Sequence, residues 1–141
     1  MSSAAADLSI GAELVSEPYL ADARAELLYA QAAAVRRHPP GKDVHIEPET
    51  ARRMGFKGPI LSGPQTYAFL ARFIADKFGV AFLCGGALDA SFVKPVFYGD
   101  RLTAHLRLLR ENGDAREFEA WVENQDGVKL AIGKASVRRT P

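Results

Sequence analysis

The sequence predicts a single α+β domain in which an antiparallel sheet of about five strands wraps around one central helix. Three observations lead there. Residues 63–78 lie in the stretch "SGPQTYAFLARFIADKFG", where Tyr67, Ala68, Leu70, Ala71, Phe73, Ile74, Ala75 and Phe78 leave only a narrow polar edge. A helix apolar on nearly all sides must be enclosed by other structure. Behind it, apolar residues alternate with period two at Leu88, Ala90 and Phe92, at Leu102, Ala104, Leu106 and Leu108, and at Phe118, Ala120 and Val122. Each run reads as a strand with one buried face. "NGD" at 112–114 and "NQDG" at 124–127 read as hairpin turns, so the last three strands form an antiparallel meander. Helical elements in the first half and strands in the second favour α+β over alternating α/β.

The chain has 141 residues, enough for one core and too few for two comfortable domains. Residues 1–8 are expected to be loose and 9–141 to form the domain. "GAELVS" is a short first strand, ended by Pro18. "DARAELLYAQAAAVRR" from Asp22 reads as an Ala-rich helix with Leu28, Ala32 and Val35 on one face, and "HPPGKD" at 38–43 terminates it. "PETARRMG" from Pro48 reads as a short helix closed by Gly55. After a loop over 56–61, the central helix has Ser62 as N-cap, Gln65 as its capping-box partner, Pro64 in the first turn and Gly79 past its end. In the last strand Val128, Leu130 and Ile132 hold one phase, and Ala135 and Val137 the other. A bulge is therefore expected at Gly133.

Lys plus Arg number 18 against 17 Asp plus Glu, and a net charge of +1 offers no electrostatic case for nucleic acid or an anionic membrane. Anionic small molecules stay open. The lone Cys84 excludes an internal disulfide framework, fits a reducing compartment, and reads as a packed small hydrophobe rather than a nucleophile. "MSSAAADLSIGAEL" has neither a basic start nor a long apolar run, and no stretch approaches the roughly 18 apolar residues of a membrane span. These features read as a soluble, cytoplasmic protein. No metal cluster and no phosphate-cradling G-x-x-x-x-G-K loop is present.

Three pieces, "HIEPETA" (45–51), "GFKGPILSG" (55–63) and "FVKPVFYGDRL" (92–102), together resemble the MaoC-like hydratase and dehydratase branch of the hotdog superfamily. In that family a loop D-x-N-P-x-H-x-D-x-x-x-A precedes a segment ending P-I-x-H-G, and a later strand carries F-x-x-P-V-x-x-G-D-x-L. The likeness runs from "SIGAEL" to the last strand. It implies a hotdog fold and reversible syn addition of water to a trans-2-enoyl thioester of coenzyme A or acyl carrier protein. It also implies a homodimer with each site near the subunit interface, and no cofactor beyond the substrate's own carrier.

That reaction requires a base to activate water, an acid for the α-carbon and a donor for the enolate-like thioester oxygen. In the family a His and an Asp five residues before it move the protons through one water, and the N–H of the glycine opening the central helix holds the carbonyl. By its spacing to Ala51 and Gly63, His45 matches the family His, and Gly63 takes the oxyanion role. A helix N-terminus suits that role through its open N–H groups and positive dipole end. The Asp does not carry over: Pro40 stands at its spacing, in a loop longer than the family's. Asp43 is the nearest replacement. In an extended "KDVHIE", Asp43, His45 and Glu47 share one side. Asp43 fits a proton-transfer partner and a surface charge equally, whereas Glu47 reads as a surface charge.

Ser62 replaces the His of the family's "HG". It reads first as an N-cap worth about 1 kcal/mol, and its hydroxyl, with Ile60 and Tyr67, is expected at the substrate. No G-x-S-x-G elbow supports a Ser-His hydrolase. His105, alternating with Arg101 and Arg107, is expected to be solvated or at a subunit contact, and His38 is a helix-end residue. Trp121 reads as an exposed partner surface or an ordinary half-exposed side chain. Tyr67, Phe69, Leu70 and Phe73 are core, some of them walling the acyl pocket. The alternatives are altered chemistry on the same fold, as in a thioesterase or a pathway-specific lyase or isomerase, and a non-catalytic acyl-thioester-binding subunit.

Overall fold

The computed structural model describes residues 7–32 and 41–138. Among them the strands are β1 (Glu13–Val15), β2 (Tyr19–Leu20), β3 (Ala87–Phe92), β4 (Arg101–Asn112), β5 (Ala115–Glu123) and β6 (Lys129–Arg138). The helices are α1 (Ala23–Ala32), α2 (Pro48–Arg53), α3 (Gly63–Phe78) and α4 (Val80–Leu83). The antiparallel sheet has the order β1-β4-β5-β6-β3, and β2 adds a sixth strand by pairing with the start of β4. The predicted meander is present, with both hairpin turns where the Asn-Gly and Gln-Asp-Gly sequences place them.

The core forms where the inward face of the sheet meets α3. Leu102, Ala104, Leu106 and Leu108 of β4, with Phe118, Ala120 and Val122 of β5, are buried as the period-two pattern predicts. They pack against Leu70, Phe73, Ile74 and Phe78 of α3, and the Phe78 and Phe118 rings lie 5.1 Å apart. An antiparallel sheet with one buried face needs this apolar cover. Leu8, placed by the sequence reading in a loose N-terminus, packs against the same core, while residues 1–6 lie outside the described ones.

Several expectations are corrected. α3 is enclosed on its sheet side only: Tyr67 and Ala68 are exposed, because the curled sheet covers half the helix. In α1, Leu28 is 57% exposed and Ala32 is exposed, and the buried side chain is Glu26, at 7%. The anticipated third member of that face, Val35, lies outside the described residues. α1 contacts the body through polar groups, not through an apolar stripe. Phe92 ends β3 51% exposed instead of buried, and Cys84 is exposed at the end of α4.

The β6 irregularity sits at Leu130, not Gly133. Val122 pairs with Ala131 and Glu123 with Lys129, so Leu130 is the extra residue, and both it and Ala131 are buried. Gly133 stays in register between Ala120 and Ala90, and a Cβ there would lie 1.9 Å from the Asp89 carbonyl oxygen. Glycine is needed for backbone approach, not for a bulge.

The outward face of the sheet also differs from expectation. His105 is 8% and Trp121 4% exposed, and their rings stack 4.8 Å apart. His105 Nδ1 is hydrogen-bonded to Glu13 at 2.8 Å, and its Nε2 lies 3.1 Å from Glu123 Oε1 without hydrogen-bond alignment. The Arg107 and Lys129 cations lie over the indole, whose Nε1–H donates to Glu123 at 3.2 Å. Long side chains from adjacent strands close over these rings, which strand alternation cannot foresee.

Candidate active site

A short loop, from Gly41 to Glu47, delivers His45 to the site. Its organiser is Glu47, which the sequence reading treated as a surface charge. Glu47 Oε1 accepts the Gly41 N–H at 2.8 Å, and its Oε2 accepts the Asp43 N–H and the Thr50 hydroxyl, each at 2.9 Å. The Gly41 N–H first, then that of Asp43 and the Thr50 hydroxyl, hold this carboxylate below the ordinary range, because all three favour the charged form. Arg53 completes the tie by donating to the Gly41 carbonyl at 2.7 Å. Asp43 is buried, and its Oδ1 accepts the His45 backbone N–H at 2.9 Å. That contact is an Asx-type turn. It sets the loop's shape and directs the carboxylate at the peptide rather than at the imidazole.

The imidazole is fixed from the other side. His45 Nδ1 lies 2.9 Å from the Ile60 carbonyl oxygen. A carbonyl only accepts, so in the neutral ring Nδ1 carries the proton and Nε2 the lone pair. Ile60 is itself held between two segments: its N–H donates to Val44, it bridges to Phe97, and the next residue, Leu61, donates to Val96 at 2.8 Å. The Tyr98 hydroxyl donates to the His45 carbonyl at 2.7 Å and approaches that of Ile60 at 3.3 Å. Burial first, then the nearby Glu26, Asp43 and Asp22 carboxylates, push the Tyr98 pKa up, keeping it a neutral donor. The turn carrying Tyr98 is pinned by Asp100, which accepts the Phe97 N–H at 2.9 Å.

His45 and Gly63 line one cavity of about 310 Å³. Its other walls include Phe56, Ile60, Leu61, Thr66, Phe92 and Leu130, with Lys94 as the cationic side chain on its lining. Gly63 opens α3, and a Cβ there would lie 2.7 Å from the Phe92 ring. The first helical turn offers few free donors. Pro64 has no N–H, and the amides of Gln65 and Thr66 point to the Ser62 carbonyl at 3.1 and 3.4 Å. Among the described residues no acceptor meets the Gly63 N–H.

The capping box is not formed. Ser62 occupies the N-cap position, but its hydroxyl makes no cap bond; it donates to Glu26 Oε2 at 2.8 Å, and the Ser62 backbone N–H donates to the same oxygen at 3.2 Å. Gln65 reaches across to the Ala25 carbonyl at 3.1 Å. The hydroxyl gives its hydrogen to this buried carboxylate on α1, and the amides of Gln65 and Thr66 take the Ser62 carbonyl as their acceptor in place of the hydroxyl oxygen. The expected site residues therefore divide. His45, Gly63 and Ile60 meet at the cavity. Ser62 turns to Glu26, Asp43 turns to the backbone, and Tyr67, exposed on α3, donates to the Leu88 carbonyl of β3 at 3.0 Å. Pro40 and His38 lie outside the described residues.

Two residues escaped the sequence reading. Glu26 lies within the Ala-rich helix, and its position along the chain gives no sign of a partner 36 residues away. Tyr98 carried a usable signal, since it sits directly before the Gly-Asp turn that follows the proline break.

Among the described residues no group of His, Cys, Asp and Glu side chains could hold a metal ion, and no helix is long and apolar enough to cross a membrane. Among curated proteins nothing matches this chain significantly. Solved structures with this fold include the R-hydratase PhaJ1 from Pseudomonas aeruginosa, with a TM-score of 0.77 at 23% identity over 96% of this chain and 84% of that one. The (R)-hydratase from A. caviae involved in PHA biosynthesis superposes with a TM-score of 0.74 at 21% identity, over 94% of this chain and 98% of that one. A MaoC-like dehydratase from Rhodospirillum rubrum gives 0.69 at 23%, covering 96% and 97%. At such identities the likeness concerns the hotdog fold. The family model described as a MaoC-like domain matches residues 42–130, which hold His45, the cavity and the whole of α3. With that match spanning more than half of the sequence, the chain belongs to the MaoC-like domain family.

Proposed function

We propose that the protein is a hydratase/dehydratase that adds water reversibly to an enoyl thioester carried on coenzyme A or acyl carrier protein. The observation that carries this reading is the pairing of His45, locked by Ile60 with its lone pair on Nε2, with the open Gly63 amide on one apolar cavity. In the hydration direction, water attacks the β-carbon while His45 Nε2 takes its proton, and the thioester oxygen gains charge opposite the Gly63 N–H. The imidazolium then returns a proton to the α-carbon on the same face, restoring the neutral base. Asp43 acts by holding the His45 backbone, not as a proton carrier. The R-hydratases and the MaoC-like dehydratase of the same fold support this choice of reaction.

A homodimer completes the proposal. β3 is an edge strand, and Tyr67, Phe92 and Val93 are exposed beside it. A second copy against this edge would pair the strand and cover the open side of the cavity. The assay is turnover of crotonyl-CoA with product identification by mass spectrometry. Water addition keeps the acyl-CoA linkage, whereas hydrolysis releases the thiol. Undiminished turnover in His45→Ala would sink the reading. The Ser62–Glu26 bond turns the hydroxyl to a carboxylate, which disfavours a serine nucleophile paired with His45.

A further inference from the structure

We infer that Glu26 is the positioning residue that presents the Gly63 amide to the substrate, a role that rests on the proposed thioester chemistry. Glu26 is buried on α1, and one of its oxygens, Oε2, accepts both the hydroxyl and the backbone N–H of Ser62. The residue after Ser62 is Gly63. A peptide plane is rigid, and its orientation follows from the bonds on either side. On the helix side, the Ser62 carbonyl is held by the amides of Gln65 and Thr66; on the loop side, the Ser62 N–H is held by Glu26. The Gly63 N–H shares its peptide plane with that Ser62 carbonyl, and Glu26 holds the plane just before it, so Ser62 is fixed on both sides and the Gly63 N–H with it. Gln65, bonded to the Ala25 carbonyl, keeps α1 and the mouth of α3 in register, so the carboxylate arrives from a docked helix.

Pro64 lacks an N–H and the amides of Gln65 and Thr66 are bonded to the Ser62 carbonyl, so among the described residues the first turn leaves one open donor, that of Gly63, a residue on the cavity lining. A site built on one amide is sensitive to its direction: a displacement of about 1 Å at a reacting group can cost on the order of 100-fold. Because a single oxygen takes both Ser62 bonds, the negative charge is not required. A neutral amide oxygen at the same reach can replace it.

The test compares Glu26→Asp with Glu26→Gln in the full chain. Aspartate keeps the charge but withdraws the acceptor by about one carbon–carbon bond, ~1.5 Å; glutamine keeps the reach and removes the charge. We expect kcat for crotonyl-CoA hydration to fall about 10- to 100-fold in Glu26→Asp with KM changed less than about threefold, and Glu26→Gln to recover most of it. The second readout is the thioester carbonyl stretch of bound butyryl-CoA. It should move to lower frequency on wild-type protein and on Glu26→Gln, and that displacement should shrink on Glu26→Asp. Thermal melts of both variants check that the fold is intact. A loss in Glu26→Gln that Glu26→Asp does not share would overturn the inference by making the charge the essential feature, and equal losses in the two variants would overturn it by showing that reach alone does not restore the site. So would wild-type kcat and carbonyl frequency in Glu26→Asp. A wild-type protein that displaces the carbonyl stretch but hydrates no enoyl thioester would refute the proposed reaction while leaving the Gly63 contact and its dependence on Glu26 measurable.

Discussion

His45 Nδ1 and the Ile60 carbonyl oxygen lie 2.9 Å apart, and this one bond decides which nitrogen of the neutral imidazole carries the proton. Ile60 contributes a main-chain atom, so the contact survives any side-chain change at position 60. It can instead be separated from basicity at position 45. A glutamine there can still donate an N–H toward Ile60 but cannot take a proton at neutral pH. His45→Gln should therefore keep the melting temperature close to wild type while hydration falls about 10²- to 10⁴-fold. Steady-state kinetics with a parallel melt measure both, and residual activity above a tenth of wild type would contradict the assignment.

Gly63 faces the Phe92 ring, with the nearest ring carbon 2.7 Å from where a Cβ would stand. Phe92 is half exposed and can swing aside, so Gly63→Ala should fold. The added methyl would occupy the space next to the open amide. We expect at least about a tenfold loss of kcat/KM with a small change in stability, measured by turnover and denaturant titration. Wild-type kcat/KM would remove the amide from the mechanism.

The Glu47 carboxylate gives the loop a pH signature. Its pKa lies below the ordinary 4.5, chiefly through the Gly41 N–H, then that of Asp43 and the Thr50 hydroxyl. A depressed folded pKa stabilises the fold fully above the unfolded value, and this contribution is lost as pH falls through the folded value. Urea unfolding should therefore show stability declining below about pH 4.5 more steeply in the wild type than in Glu47→Gln. Parallel curves over that range would show that the loop does not depend on this charge.

Gly133 tests the sheet instead of the site. A methyl group 1.9 Å from the Asp89 carbonyl oxygen cannot be met by a side-chain rotation, because the obstacle is backbone. Gly133→Ala should cost at least about 3 kcal/mol, read from the denaturation midpoint. A loss below about 1 kcal/mol would mean that β3 and β6 separate easily.

Much of the frame was legible because burial imposes a period. Leu102, Ala104, Leu106 and Leu108 alternate since one sheet face must leave water, and Asn112 to Asp114 turns as its residue types allow. The misreadings share a cause. Gly133 separates two phases along the chain, yet the break lies at Leu130, where the register of a neighbouring strand decides. Trp121 and His105 looked exposed because their strand positions face outward, yet Arg107, Lys129 and three glutamates, Glu13, Glu119 and Glu123, gather around the face they occupy.

By itself the sequence determined the order of the main elements, though not the short β2 and α4, together with the apolar helix and the inward faces of the meander, and through the family motif it put forward His45 and Gly63 as candidates. These follow from local periodicity, turn chemistry and a short motif, all read along the chain. Tertiary structure alone decided the partners: Ile60 for His45, Glu26 for Ser62, the backbone for Asp43 and the loop amides for Glu47. A hydrogen bond between distant residues depends on direction and on competing donors in space, and neither is a property of spacing along the chain.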